Sequence, residues 1–224
     1  DTISLRRSVF PLLNKIKQLR PKIIFSTFGF INVALLGMRW LLRLKIKIII
    51  REANLPLISL KNNSFKWTLT ICYRLLYPKA DKLICSSNKM IDEFASSFSV
   101  PGFVMELLPN PVDVDSIREK SKPSKCYDNS GVKYVASGRL TYQKGFDLLL
   151  SWFSELNNPK STLVILGEGD YKSALIEQSR LLNIQNQVKF IGFCDNPWQW
   201  YSGADVTLVS SRWEGMPNVV LESL

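Results

Sequence analysis

The chain has 224 residues, among them 29 Lys or Arg, 19 Asp or Glu, four Cys and no His. Without histidine there is no Ser-His-Asp or Cys-His nucleophile pair and no histidine metal site, so acid–base work falls to Asp, Glu, Lys, Tyr or the substrate. At 46% hydrophobic and 21% charged, the chain can build a packed core, as one large domain or two small ones, and is not disordered.

Short β-branched runs alternate with longer amphipathic segments. Strands are predicted at 22–26, 47–50, 82–86 and 103–108, with helices at 31–44, 65–76 and 88–98 between them. The stretch 109–131 interrupts the rhythm with Pro109, Pro111, Pro123 and Gly131, and reads as an interdomain connection. A second alternating set follows: strands at 132–137, 162–166, 188–191 and 206–209, and helices at 147–156, 171–182 and 198–201. A last helix starts near Pro217 or Asn218. In the helix at 147–156, Leu148, Leu149, Trp152 and Phe153 are expected on the apolar face. The strands are apolar on both faces, as in a parallel sheet covered by helices on two sides. The expectation is an α/β protein of two doubly wound, Rossmann-like domains, with parallel sheets facing across a cleft and ligands beyond the strand carboxyl ends.

Charge is uneven. Residues 1–125 hold 21 Lys/Arg and 9 Asp/Glu, a net +12, whereas residues 126–224 hold 8 and 10, a net −2. One half facing an anionic partner and a merely basic solvated surface both account for this. Cys72, Cys85, Cys126 and Cys194 form no CxxC pair and are expected as buried thiols rather than a disulfide framework. The most apolar window, 30–50, contains Arg39, Arg43, Lys45 and Lys47 and does not read as a membrane span. The sequence starts at Asp1 and stops at Leu224 inside an apolar run, so it reads as a fragment.

Four strand-end motifs could carry chemistry. In Ser137 to Gly145, Gly138 permits a tight turn, and Arg139 and Lys144 stand beside a helix start. They fit a diphosphate clamp and equally a loop with two solvated charges. Leu166-Gly167-Glu168-Gly169-Asp170 matches no complete phosphate fingerprint and reads as a tight turn. Gly192-Phe193-Cys194-Asp195-Asn196 could offer backbone groups to a nucleobase edge or be an ordinary turn. In Ser210 to Glu222, two glutamates eight residues apart, Glu214 and Glu222, frame a loop entering a helix. Gly215 and Pro217 suit the turn, amides near Asn218 and Val219 favour an anion, and a carboxylate suits vicinal hydroxyls. A helix cap with a surface salt bridge explains the same pair.

Taken together and in order, SGRLTYQKGFDLLL, LVILGEGDY, FIGFCDN and ADVTLVSSRWEGMPNVVLESL, with the earlier ADKLICSSN and LLPNPVD, resemble the family 4, or group 1, retaining glycosyltransferases of GT-B fold. The likeness is close from Ala80 to Leu224 and looser before it, and it implies a chain truncated at both ends. It implies a partial acceptor-side domain at 1–112, a connection at 113–131 and a partial nucleotide-sugar domain at 132–224. By the same resemblance, Arg139, Lys144 and Glu214 are the catalytic positions. Gly138, Phe193, Gly215, Met216, Pro217, Asn218, Val219 and Glu222 are donor-binding, with Glu222 at the ribose and Phe193 near the base.

The resemblance further implies transfer of a hexosyl group, with retention, from a UDP-sugar to a glycan or lipid-linked acceptor in cell-surface polysaccharide or lipopolysaccharide synthesis. The acceptor hydroxyl would give its proton to the leaving phosphate oxygen, so neither a protein base nor a metal is called for. No cofactor is implied, since the nucleotide-sugar is a substrate. The basic N-terminal half is expected to make peripheral contact with the inner, cytoplasmic face of a membrane, and nucleic acid is not an expected partner. A non-catalytic nucleotide-sugar-binding or partner subunit of the same fold is the alternative.

The sequence departs from the family pattern in two respects. Relatives carry a histidine near the donor sugar where this chain has Ile50 to Pro56, and Arg51, Glu52 or Asn54 is expected to take its place. The glycine-rich N-terminal loop and the last C-terminal helices are missing, and the fragment alone is expected to be inactive or poorly folded.

Overall fold

The computed structural model describes residues 9–39, 45–61, 65–122, 127 and 131–224. The chain divides into two compact units, Asp1–Asn110 and Pro111–Leu224.

The first unit runs α1 (Val9–Leu19), β1 (Ile23–Ser26), α2 (Gly29–Gly37), β2 (Lys47–Arg51), α3 (Pro56–Lys61), α4 (Lys66–Leu76), β3 (Lys82–Cys85), α5 (Asn88–Phe98) and β4 (Met105–Leu107). Its strands form one parallel sheet in the order β1-β2-β3-β4, with Ile24 beside Ile48, Ile50 beside Leu83 and Leu83 beside Met105. Helices cover the sheet, so Ile48, Ile50, Leu83 and Cys85 are fully buried. Met90, Phe94 and Phe98 recur every four residues along α5 and turn inward. Phe94 stacks on Tyr77, which stacks on Tyr73 with centroids 4.2 Å apart. Each such side chain buried from water contributes about 1.5–3 kcal/mol.

Two helices of this unit are not predicted by its hydrophobic pattern. In α1, Pro11 sits in the first turn, where its missing N–H leaves no bond unmade. Pro56 opens α3 in the same manner. The helix predicted at 31–44 begins earlier, at Gly29, and ends at Gly37, while residues 40–44 lie outside the described residues. The strand predicted at 103–108 contracts to three residues, because Pro101 leads into a single 3-10 turn at Gly102–Val104.

The second unit runs α6 (Val114–Lys120), β5 (Lys133–Ser137), α7 (Phe146–Glu155), β6 (Thr162–Leu166), α8 (Lys172–Leu181), β7 (Val188–Gly192), α9 (Trp198–Gly203), β8 (Val206–Thr207) and α10 (Asn218–Ser223). The α6 helix lies inside the stretch expected as a connection, capped by Asp113, whose side chain accepts from the Ser116 amide at 3.0 Å. Residues 123–126 and 128–130 of that stretch, Cys126 included, lie outside the described residues. The other three cysteines are free thiols: Cys85 is buried, while Cys72 and Cys194 are only half-buried, short of the burial expected.

This sheet is also parallel, but its order is β7-β6-β5-β8. Alternating residues split its core into two layers. Ala136, Leu163 and Ile165 pack under α7 and α8, while Val135, Val164 and Leu166 face Tyr201. On α7 the buried stripe is Phe146, Leu149, Leu150 and Phe153, whereas Leu148 and Trp152, expected inward, are 52% and 40% exposed. The helix is apolar on more than one stripe, and the sheet selects the one that also holds Phe146. The strand predicted at 206–209 keeps ladder geometry only at Val206–Thr207.

Candidate active site

Chain order takes β5 through β6 to β7, then returns so that β8 lies on the other side of β5. A parallel sheet opens a crevice at such a reversal, beyond the strand carboxyl ends. Here the segment leaving β5, Ser137 to Gly145, meets the segment leaving β8, Leu208 to Pro217.

Gly145 makes that meeting possible. Its φ is +63°, and a Cβ there would lie 2.2 Å from the Ser210 carbonyl oxygen. Only glycine combines that backbone with that approach. The Ser210 hydroxyl donates to the Lys144 carbonyl at 2.9 Å, and the Arg212 amide donates to the Gln143 carbonyl at 2.8 Å.

The juxtaposed loops bring Lys144 and Glu214 together although 70 residues separate them. Lys144 Nζ donates to Glu214 Oε1 at 2.6 Å, with 19% and 17% of the two side chains exposed. Ser211 Oγ donates to the same oxygen at 2.8 Å. This carboxylate is held by two donors and remains in reach of solvent, which suits it to exchange a protein partner for a ligand hydroxyl. Gly138 leaves room for the lysine stem, since a Cβ there would stand 3.2 Å from Lys144 Cε. Ser137, Lys144, Ser210, Ser211, Pro217 and Val219 line a cavity of about 10 Å³ beside the pair, the size of one water.

Arg212 fixes this loop, and sequence reasoning did not single it out. Its guanidinium grips both carboxylate oxygens of Asp147, at 2.8 and 2.6 Å, in the first turn of α7. It also donates to the Tyr142 carbonyl at 2.8 Å and lies 4.0 Å from the Tyr142 ring centroid. Hydrogen bonding to Arg212 holds the Asp147 carboxyl below its ordinary value, against a smaller opposing effect of burial. The only signal in the sequence was an acidic residue in the first turn of α7, which a helix dipole also explains.

Glu222 lies on α10, one turn beyond Asn218. Burial raises its carboxyl above the ordinary value. The Trp198 indole opposes that rise without meeting hydrogen-bond geometry. Burial and, to a smaller extent, the Glu222 charge raise the Tyr201 phenol, and Tyr201 shares a hydrogen bond with Ser137 at the end of β5. Gly138, Lys144, Glu214, Pro217, Val219 and Glu222 thus converge on the β5–β8 crevice, with Gly215, Met216 and Asn218 on the same loop and helix start. Arg139 is exposed in the β5 turn and makes no ion pair among the described residues. Phe193 is 77% exposed beyond β7, at the far edge of the sheet order.

The motif Leu166 to Asp170 supports the first loop. Gly167, at φ +133°, passes so close to Gly138 that a Cβ would lie 2.0 Å from its carbonyl oxygen. The Leu140 amide donates to the Glu168 carbonyl at 2.9 Å, and the Tyr171 amide to the Leu140 carbonyl at 3.0 Å. The tight turn expected there is a brace for the Ser137 to Gly145 loop.

In the first unit, the end of β2 has a different character. Glu52 is 7% exposed, accepts from Asn32 Nδ2 at 2.9 Å and also accepts from the Tyr77 hydroxyl. Burial pushes its carboxyl up, and these hydrogen bonds only partly offset that. Arg51 donates to Asn110 Oδ1. Of the three residues expected to replace the missing histidine, Glu52 is turned into the core.

These features define a doubly wound unit with a cation–carboxylate pair at its strand-order reversal. The chain belongs to the family 4, group 1 glycosyltransferases: the family model "Glycosyltransferase Family 4" matches residues 3–116 and "Glycosyl transferases group 1" matches residues 117–224. It is 30% identical over 182 residues to the N-acetylgalactosamine-N,N'-diacetylbacillosaminyl-diphospho-undecaprenol 4-alpha-N-acetylgalactosaminyltransferase of Campylobacter jejuni, covering 80% of this chain and 49% of that protein. It is 27% identical over 164 residues to the O-antigen biosynthesis glycosyltransferase WclY of Escherichia coli, covering 71% and 44%. The crystal structure of Anabaena HepE with UDP and glucose superposes with a TM-score of 0.79 at 19% identity, over 95% of this chain and 60% of that one. That likeness carries the GT-B fold. The chain spans about half the length of the curated relatives it matches. Among the described residues, no helix is long and apolar enough to cross a membrane.

Proposed function

We propose that the full-length protein transfers a hexosyl group, with retention of configuration, from a UDP-sugar to a glycan or lipid-linked acceptor in cell-surface polysaccharide synthesis. The observation that carries this reading is the Lys144–Glu214 pair, set by Gly145 at the β5–β8 crevice. UDP bound to the Anabaena neighbour supports the donor, and the undecaprenol-linked substrate in the Campylobacter relative's name supports the acceptor.

In this mechanism the donor diphosphate lies against Lys144 and Arg139, and Glu214 turns from Lys144 to a hydroxyl of the transferred sugar. Glu222 takes the ribose hydroxyls. Gly138, Gly215, Met216, Pro217, Asn218 and Val219 give the donor backbone contacts, and Phe193 lies toward the base. The bond from the anomeric carbon to the phosphate oxygen breaks as the bond to the acceptor oxygen forms on the same face. The acceptor proton passes to the departing phosphate oxygen, whose growing charge the two cations stabilise. Neither a metal nor a cofactor enters this scheme. The basic first unit supports peripheral contact with the anionic inner face of a membrane, where a lipid-linked acceptor would be met.

Presenting the full-length protein with a panel of nucleotide-sugars, and following nucleotide release with and without a polyprenyl-diphosphate glycan, tests the reading. Acceptor-stimulated release of UDP from one sugar is expected. Tight nucleotide-sugar binding with no turnover for any donor would instead indicate a non-catalytic subunit.

A further inference from the structure

A helix on the surface of a covered sheet ordinarily presents a polar outer face. The α4 helix does not. Leu69, Tyr73 and Leu76 face the core, and yet Trp67, Ile71 and Leu75 form a second apolar stripe at four-residue spacing that is 76%, 58% and 60% exposed. Beside it, α3, α4 and α5 enclose a groove of about 550 Å³, floored by the buried Leu60 and Phe98 and lined also by Lys61, Lys66 and Arg74.

Charge identifies the occupant. From Ala53 to Ala80 the chain carries Lys61, Lys66, Arg74 and Lys79 and no acidic residue. None of the three groove cations makes an ion pair among the described residues. Arg74 is steadied by a bond from Nε to the Ser97 carbonyl at 3.1 Å, and Lys66 lies 5.8 Å from the Trp67 ring centroid. Glu93 of α5, a carboxylate beside α3, accepts a hydrogen bond from the Leu57 amide at 3.2 Å. An apolar stripe with a tryptophan, flanked by unpaired cations, is complementary to the headgroup region of an anionic bilayer.

We propose that the outer face of α4 and the α3–α4–α5 groove dock the first unit onto an anionic phospholipid surface. The inference rests on the membrane-facing part of the proposed function and names the face that makes the contact. With the helix lying in the interface, Trp67, Ile71 and Leu75 enter the acyl boundary while Lys61, Lys66 and Arg74 meet headgroup phosphates. Each cation near such a surface strengthens binding about five-fold.

The test is co-sedimentation of the full-length protein with phosphatidylcholine vesicles, with and without phosphatidylglycerol. Binding is expected only where phosphatidylglycerol is present. Trp67→Ser/Ile71→Ser/Leu75→Ser and, separately, Lys61→Gln/Lys66→Gln are each expected to weaken it about tenfold or more, with UDP-sugar hydrolysis in solution unchanged. A control on α1, Lys15→Gln/Lys17→Gln, is expected to retain most of the binding. If the serine variant misfolds, the lysine variant, altered only at exposed termini of α3 and α4, decides. Binding that survives both α4 changes but is lost with α1 would overturn the assignment of the face and leave the membrane reading standing. Absence of wild-type binding to either vesicle would overturn both. A dimer in light scattering that the serine variant abolishes, without lipid binding, would make the stripe a self-association surface and overturn the proposal.

Discussion

The two units place a glutamate near strand carboxyl ends and treat it in opposite ways. In the first, the strand order follows the chain, no reversal opens the described sheet, and Glu52 is sealed among Asn32, Tyr77 and the aromatic cluster. In the second, the order reverses between β5 and β8, and Glu214 stands paired with Lys144 yet in contact with solvent. The strand-end carboxylate is thus part of the core in the sheet with no described reversal, and part of the candidate site in the sheet whose order reverses. Burial raises the Glu52 carboxyl and favours its neutral form, whereas Glu214 has Lys144 and Ser211 as hydrogen-bond donors.

The contrast can be broken from either side. The largest effect is expected for Lys144→Ala in the full-length protein, with transfer falling about 10²–10³-fold in kcat, since in the proposed mechanism its charge stabilises the leaving phosphate and one such preorganised group is worth that much. Next is Gly145→Ala, which strains a left-handed backbone and drives a methyl into the Ser210 carbonyl. A loss of about 2–4 kcal/mol is expected in urea unfolding of the second unit.

Smaller is Arg212→Lys, which keeps the charge but loses the two-pronged grip on Asp147. About 1 kcal/mol is expected, since the pair is partly solvated. Because Arg212 holds the Asp147 carboxyl below its ordinary value of 3.8, its contribution is complete above that pH and fades as pH falls through the lowered value. The lysine variant should therefore lose less stability on acidification than the wild type, as acid unfolding curves would show.

Glu52→Gln is expected to act with the opposite sign. Burial raises this carboxyl above 4.5, so its contribution is complete below that pH and declines as pH rises toward the raised value. Glutamine retains acceptors for Asn32 and Tyr77, so the variant should lose that pH dependence and exceed the wild type in stability on the alkaline side. Denaturant midpoints measured across that range would reveal it.

Much of this organisation is legible in the residues because parallel strands covered on both faces are short, apolar and β-branched, and Ile48, Leu83 and Val164 announce theirs plainly. The register of α7 is not legible, because Leu148 and Trp152 are as apolar as Leu150, and only the sheet beneath selects between them. The α1 helix is obscured by Pro11, which breaks a helix interior but not a first turn.

The site divides along similar lines. Gly138 and Gly145 can be placed at strand and helix ends from sequence, and the two glutamates stand out by their eight-residue spacing. That Lys144 meets Glu214 follows from no local spacing, and the family resemblance gave each a role without pairing them. Arg212 and Asp147, 65 residues apart, left no pattern to read, and their pairing emerges once β8 returns beside β5. The burial of Glu52 likewise depends on Asn32 and Tyr77 arriving from distant segments.

The most direct test of the central claim is a comparison of wild-type and Glu214→Gln full-length protein, measuring UDP affinity by calorimetry and sugar transfer from a UDP-sugar in parallel. Retained UDP affinity with transfer reduced about 10²-fold or more is the predicted result, because in the proposed mechanism the carboxylate contacts the sugar rather than the nucleotide. Transfer at the wild-type rate would contradict a catalytic crevice between β5 and β8.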